Sequence, residues 1–121
     1  MKKILYVEDE KDEILMIKTR LEDEGYAVVS AADGEEGLRK VQEEKPDLVL
    51  LDLIMPKMNG YEFCCHLKDD PATNDIPIII ITASGAKDLE RQCFKRGVKE
   101  IIHKPYDSSY LLEKIAFYLG E

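Results

Sequence analysis

Five side chains able to bind a cation, accept a phosphoryl group or balance its charge stand at the ends of apolar runs in this chain of 121 residues. Glu8 and Asp9 follow Ile4-Leu5-Tyr6-Val7, and Asp52 follows Leu48-Val49-Leu50-Leu51. Thr82 follows Ile78-Ile79-Ile80-Ile81, and Lys104 comes after Ile101-Ile102 and His103. Three carboxylates brought within a few ångströms repel one another, and at least one pKa rises. A hard divalent cation relieves that repulsion. Mg2+ takes oxygen ligands in octahedral geometry and is usually held by one or two carboxylates together with phosphate oxygens. Lys104 adds an ammonium that can reach a carboxylate or a phosphoryl oxygen, and Thr82 adds a hydroxyl donor. The set suits a phosphoryl group carried on one carboxylate, with the metal and Lys104 balancing charge on the transferring oxygens. Asp52 is the best nucleophile, because its strongly apolar run belongs at the centre of a sheet and carboxylates do form aspartyl phosphates. Glu8 and Asp9 are then metal ligands rather than attackers.

Each residue alone has an ordinary explanation. An acidic pair after a strand is a common cap, a threonine is nearly uninformative, and Lys104-Pro105 reads as a loop. Joint placement carries the argument, and the elements between the runs provide it. Ile14, Ile17 and Leu21 make a helical stripe, Leu38 and Val41 a shorter one, and Leu112, Ile115, Ala116 and Leu119 a stripe on the last helix. Gly25 and Gly97 fit positions just past helix ends, while Pro46 and Pro77 stand before the third and fourth strands. Asn59-Gly60 and Ser108 are expected to start the third and fifth helices. The pattern is strand then helix, five times over, with Ala27-Val28-Val29-Ser30 as the second strand. Such alternation predicts a parallel α/β sheet with right-handed crossovers. The expected order is 2-1-3-4-5, flavodoxin-like and doubly wound, with helices on both faces and ligands bound outside the strands' carboxyl ends.

The length fits one domain, residues 1–121. No apolar run approaches the roughly 20 residues of a membrane span. The four apolar residues before Glu8 are too short for a signal peptide, so the expected compartment is the cytoplasm. Lys plus Arg total 17 against 25 Asp plus Glu, a formal charge of −8. That field repels DNA and anionic lipid, so neither direct nucleic-acid binding nor membrane binding is expected. Cys64, Cys65 and Cys93 are an odd count without a secretory signal, which does not suggest a disulfide framework. Cys64-Cys65-His66 cannot converge on one ion, because helical neighbours point about 100° apart. These cysteines are expected to be buried or half-buried packing residues.

The whole chain resembles the receiver domain of two-component response regulators. The resemblance is carried by Ile4-Leu5-Tyr6-Val7-Glu8-Asp9-Glu10, by Ala32-Asp33-Gly34-Glu35-Glu36-Gly37-Leu38, and by Pro46-Asp47-Leu48 through Asp52 to Met55-Pro56 and Asn59-Gly60. Ile81-Thr82-Ala83 and His103-Lys104-Pro105-Tyr106 complete it. The resemblance implies an Asp52 phosphorylated by a sensor histidine kinase, a phosphotransfer protein or a small phosphodonor. It also implies Mg2+ held by Glu8, Asp9, Asp52 and the backbone carbonyl of Ile54. Thr82 matches the switch hydroxyl and Lys104 the phosphate-sensing lysine, and the Lys104-Pro105 bond is expected to be cis. Ile54 and Ser84 match positions that flank the phosphoryl group. Such a chain would be a phospho-accepting switch that catalyses only its own phosphorylation and dephosphorylation. It would present the face of the fourth helix, fifth strand and fifth helix to an effector protein.

Two residues depart from the family's usual pattern. Glu8 stands where Asp is frequent and keeps the carboxylate. Ile101 stands where many receivers carry Tyr or Phe, and it offers neither ring nor hydroxyl. Output is therefore expected to rest on the Ala83-Ser84-Gly85 loop or another surface. Tyr110, Lys114 and Phe117 lie beside the core stripe of the last helix, as either a packing edge or a partner surface. An aspartate-nucleophile phosphatase would need Asp-x-Asp after the first strand, where this chain has Glu8-Asp9-Glu10. A flavin site would need a Ser/Thr/Gly-rich loop there, not acids. The chain stops soon after the fifth helix, as expected of a free-standing regulator or of a receiver cut from a longer one.

Overall fold

The four- and five-residue apolar segments at the centre of the sheet are strands with both faces covered, while the two edge strands are only partly buried. The computed structural model describes residues 1–121. The elements run β1 (Lys3–Val7), α1 (Lys11–Asp23), β2 (Ala27–Ala31), α2 (Gly34–Glu44) and β3 (Leu48–Leu51). They continue as α3 (Gly60–Lys68), β4 (Ile78–Thr82), α4 (Lys87–Lys95), β5 (Glu100–His103) and α5 (Ser108–Tyr118). The five strands form one sheet in the order β2-β1-β3-β4-β5, with all pairings parallel. This is the predicted flavodoxin-like order.

Successive residues on each strand point to opposite faces, and each face has its own core. Leu5, Val7, Val49, Leu51, Ile78 and Ile80 meet Val41, Phe63, Leu67 and Cys93, from α2, α3 and α4. Ile4, Tyr6, Leu48, Leu50, Ile79 and Ile81 meet Ile17, Leu21, Leu111 and Ile115, from α1 and α5. Strands β3 and β4 are buried throughout, as a sheet covered on both sides demands. The cysteines behave as expected: all three are free thiols, with Cys64 and Cys93 buried and Cys65 half-buried. No helix is long and apolar enough to cross a membrane.

Helix ends follow local chemistry. Asn59 and Glu62 form a reciprocal capping box at the start of α3, each side chain accepting from the other's backbone N–H. Gly25 and Gly97 stand just past α1 and α4 with φ of 93° and 95°, a region open to glycine without steric cost. Two details correct the sequence reading. Asp107, not Ser108, caps α5, its carboxylate accepting from the Ser109 backbone N–H at 2.9 Å. Ser108 is the first helical residue. The buried stripe of α5 runs through Leu111 and Ile115 while Leu112 is only half-buried, so the helix is rotated slightly from the predicted stripe.

Candidate functional site

Register across the sheet decides which residues meet at its carboxyl edge. Val7 pairs with Leu51, and Leu51 with Ile80, so Glu8 and Asp52 emerge side by side on the central strands. Thr82 pairs with His103, which sets Lys104 one step beyond it. Backbone bonds continue the ladder past the strand ends. Asp52 N–H donates to the Val7 carbonyl at 3.2 Å, and Lys104 N–H donates to the Thr82 carbonyl at 2.8 Å. The Lys104-Pro105 bond is cis.

The site centres on the Lys104 ammonium. Its Nζ lies 2.7 Å from Oε2 of Glu13, 3.3 Å from Oε1 of Glu8 and 3.8 Å from Oδ2 of Asp52. Glu8 is the buried member, with 1% of its surface exposed. Its Oε2 accepts the backbone N–H groups of Asp9 and Glu10 at 3.0 and 3.2 Å, and Tyr6 OH donates to its Oε1 at 3.4 Å. Burial, with the neighbouring carboxyls of Glu13 and Asp9, pushes the Glu8 carboxyl up to about 8. Glu13 moves the other way, since Glu8 takes the proton the two carboxyls contend for and Lys104 lies against it. Burial opposes the charge on Lys104, but Glu13, Glu8 and Asp52 outweigh it and raise its pKa.

Asp52 sits at the mouth of the cleft with 15% of its side chain exposed. Its Oδ1 faces the Ile54 N–H at 3.4 Å, a long contact. The following loop folds back so closely that Gly60 N–H donates to the Leu53 carbonyl at 2.7 Å. A Cβ on Gly60 would lie 3.0 Å from the Asp52 carbonyl oxygen and from Leu53 Cα, both backbone atoms, so any side chain here would press directly on the backbone that carries Asp52. Thr82 is fully buried, and its Oγ1 accepts the Ser84 N–H at 3.0 Å. Ser84 Oγ in turn accepts the Ala86 N–H at 3.2 Å.

Among the residues singled out from sequence, Glu8, Asp52 and Lys104 converge and Thr82 lies on the adjacent strand. Asp9 and the Ile54 side chain face solvent. The acids do not form a preassembled three-ligand cluster. The donors at this edge are nonetheless all hard oxygens, and Glu8 is a buried carboxyl whose ionised form has only Lys104, shared with Glu13, as its counter-charge. That donor set fits a hard divalent cation. Glu13 was missed from sequence. It reads there as an ordinary first-turn acid on α1, and nothing local marks its partner, 91 positions away.

Ile101 packs half-buried against the α2–α4 core rather than at the site. The link from β5 to α4 passes instead through His103, whose Nε2 lies 2.9 Å from Oε2 of Glu90.

A family model described as the response regulator receiver domain matches residues 4–116. Protein PilH of Pseudomonas aeruginosa is 34% identical over 115 residues, 95% of either chain. Other curated relatives are longer, and this chain spans only 25% of one response regulator and 46% of a probable transcriptional regulator. A CheY-like receiver domain protein of Methanospirillum hungatei superposes with a TM-score of 0.94 at 32% identity, over 99% of this chain and 94% of that one. The receiver domain of the sensor histidine kinase PA1611 of Pseudomonas aeruginosa superposes with a TM-score of 0.89 at 26% identity, over 99% and 98% of the two chains. That structure has a magnesium ion coordinated in its active-site cleft.

Proposed function

This chain belongs to the receiver-domain family of two-component response regulators, and from that premise we propose that Asp52 is its phosphoryl acceptor. The observation that supports the reading best is the approach of Lys104 to Asp52, 3.8 Å apart, with the buried Thr82 hydroxyl on the next strand. In transfer, an Asp52 carboxylate oxygen attacks phosphorus. A P–O bond forms as the bond to the donor, a phosphohistidine nitrogen or an acetate oxygen, breaks and the leaving group keeps its electron pair. Lys104 balances charge on the phosphoryl oxygens, and Thr82 donates its hydroxyl to one of them. Glu8, Asp9, Asp52 and the Ile54 carbonyl would hold Mg2+. When bound, that ion supplies further positive charge to the transferring group.

In this reading the protein acts on no separate substrate and catalyses only the gain and loss of its own phosphoryl group. A sensor histidine kinase or a phosphotransfer protein supplies the group. The response passes to an effector protein through the face of α4, β5 and α5. The compartment is the cytoplasm, and the net charge of −8 argues against direct nucleic-acid or membrane contact. Acetyl phosphate with Mg2+ tests the reading. The wild type should take one phosphoryl group and Asp52→Asn none, whereas equal labelling of the two would refute it.

A further inference from the structure

Glu13 makes the shortest contact to the site's ammonium although it lies outside the family's set of site residues. Lys104 donates to it at 2.7 Å, against 3.3 Å to Glu8, while Asp52 at 3.8 Å is beyond hydrogen-bond range. The Glu13 and Lys104 side chains are 26% and 19% exposed, so solvent screens the pair only in part. Glu13 is fixed in the first turn of α1, where the Ile14 N–H already donates to the Glu10 carbonyl. Glu8 is a poorer anchor. Its second oxygen is committed to two backbone amides, and its first also accepts the Tyr6 hydroxyl at 3.4 Å.

We infer that Glu13 is a positioning residue, the resting counter-ion of Lys104, which holds the ammonium off Asp52 and competes with the phosphoryl group for it. The inference rests on Asp52 being the acceptor. A lysine ammonium has three protons and a flexible four-carbon stem, so it can exchange partners without backbone movement. Two arrangements follow, with Lys104 on Glu13 or on the acceptor, and their populations depend on the difference in pairing free energy. Neutralising Glu13 removes the competitor. Lys104 then spends more time beside Asp52, both when a dianionic donor approaches and after transfer.

The test is the rate of labelling by acetyl phosphate with Mg2+, measured over a range of donor concentrations. Glu13→Gln should label about three- to fivefold faster than wild type, the range expected for a partly screened ion pair. Asp12→Asn removes the same charge from the neighbouring exposed residue, which makes no contact with Lys104, and should gain less than about twofold. Glu13→Asp, one methylene shorter, should fall between Glu13→Gln and wild type. The gain should vanish when Glu13→Gln is placed in a Lys104→Ala background, because Glu13 acts through Lys104. Equal gains from Glu13→Gln and Asp12→Asn would overturn the inference. So would a gain that survives without Lys104, or slower labelling by Glu13→Gln. A wild type that takes no label would instead overturn the acceptor reading beneath it.

Discussion

Lys104 Nζ stands 3.3 Å from Oε1 of Glu8, a carboxylate with 1% of its surface exposed. Burying a carboxylate is costly unless a counter-charge and hydrogen bonds compensate, and Lys104 is the cation that meets it. Lys104→Met keeps the length of the stem and removes the charge. In metal-free urea unfolding above about pH 8, where Glu8 ionises, the variant should lose about 1–3 kcal/mol. Near pH 6 the loss should be smaller, because Glu8 is then neutral. A uniform loss at both pH values would show that Lys104 contributes packing rather than charge.

The same buried acid sets a pH dependence. Glu8 rises from 4.5 when unfolded to about 8 when folded. Between those values the folded state holds the extra proton, so stability falls as pH rises through the window and levels off outside it. Glu13 is held low, so its contribution is present above its ordinary value and is lost only as pH falls below that window. Unfolding free energy without metal should therefore decline from about pH 5 to about pH 8, by up to about 1.4 kcal/mol per pH unit, and the melting temperature should fall with it. Glu8→Gln should flatten the slope. A wild-type slope of the opposite sign would contradict the assignment.

Tyr110 and Phe117 bear on the effector face. They are 42% and 68% exposed, and neither belongs to either core. Phe117 and Tyr118 form an edge-to-face pair, ring centroids 5.0 Å apart, while Lys114 Nζ lies 5.4 Å over the Tyr110 ring. Replacing both by Ser should cost less than about 1 kcal/mol and leave labelling by acetyl phosphate intact. A cooperative loss of several kcal/mol in a thermal melt would mean they are a packing edge after all.

Sheet order and the strand-end set were legible in the sequence because both follow from patterns along the chain. Strand β3 is apolar at every position and β4 at all but its last, which marks central strands, and a polar residue at or directly beyond the end of such a strand lands at the sheet's carboxyl edge. Other features depend on contacts between elements. The pairing of Glu13 with Lys104 joins two polar residues 91 positions apart. The rotation of α5 toward Leu111 is set by the opposing face of the sheet, since Leu111 and Leu112 are equally apolar. Asp107 and Ser108 are both good capping residues, and only the extended backbone at Asp107 decides between them. The exposure of Asp9 is likewise a property of the loop geometry after β1 and not of its residue type.

The central claim is that Asp52 carries the phosphoryl group, and direct mapping tests it best. Borohydride reduces an aspartyl phosphate to homoserine, which marks the acceptor in a tandem mass spectrum. After acetyl phosphate with Mg2+, homoserine should appear at position 52 alone, and it should be absent when the cation is chelated. Homoserine at Asp9 or any other acid, or equal conversion of position 52 without the cation, would contradict the account.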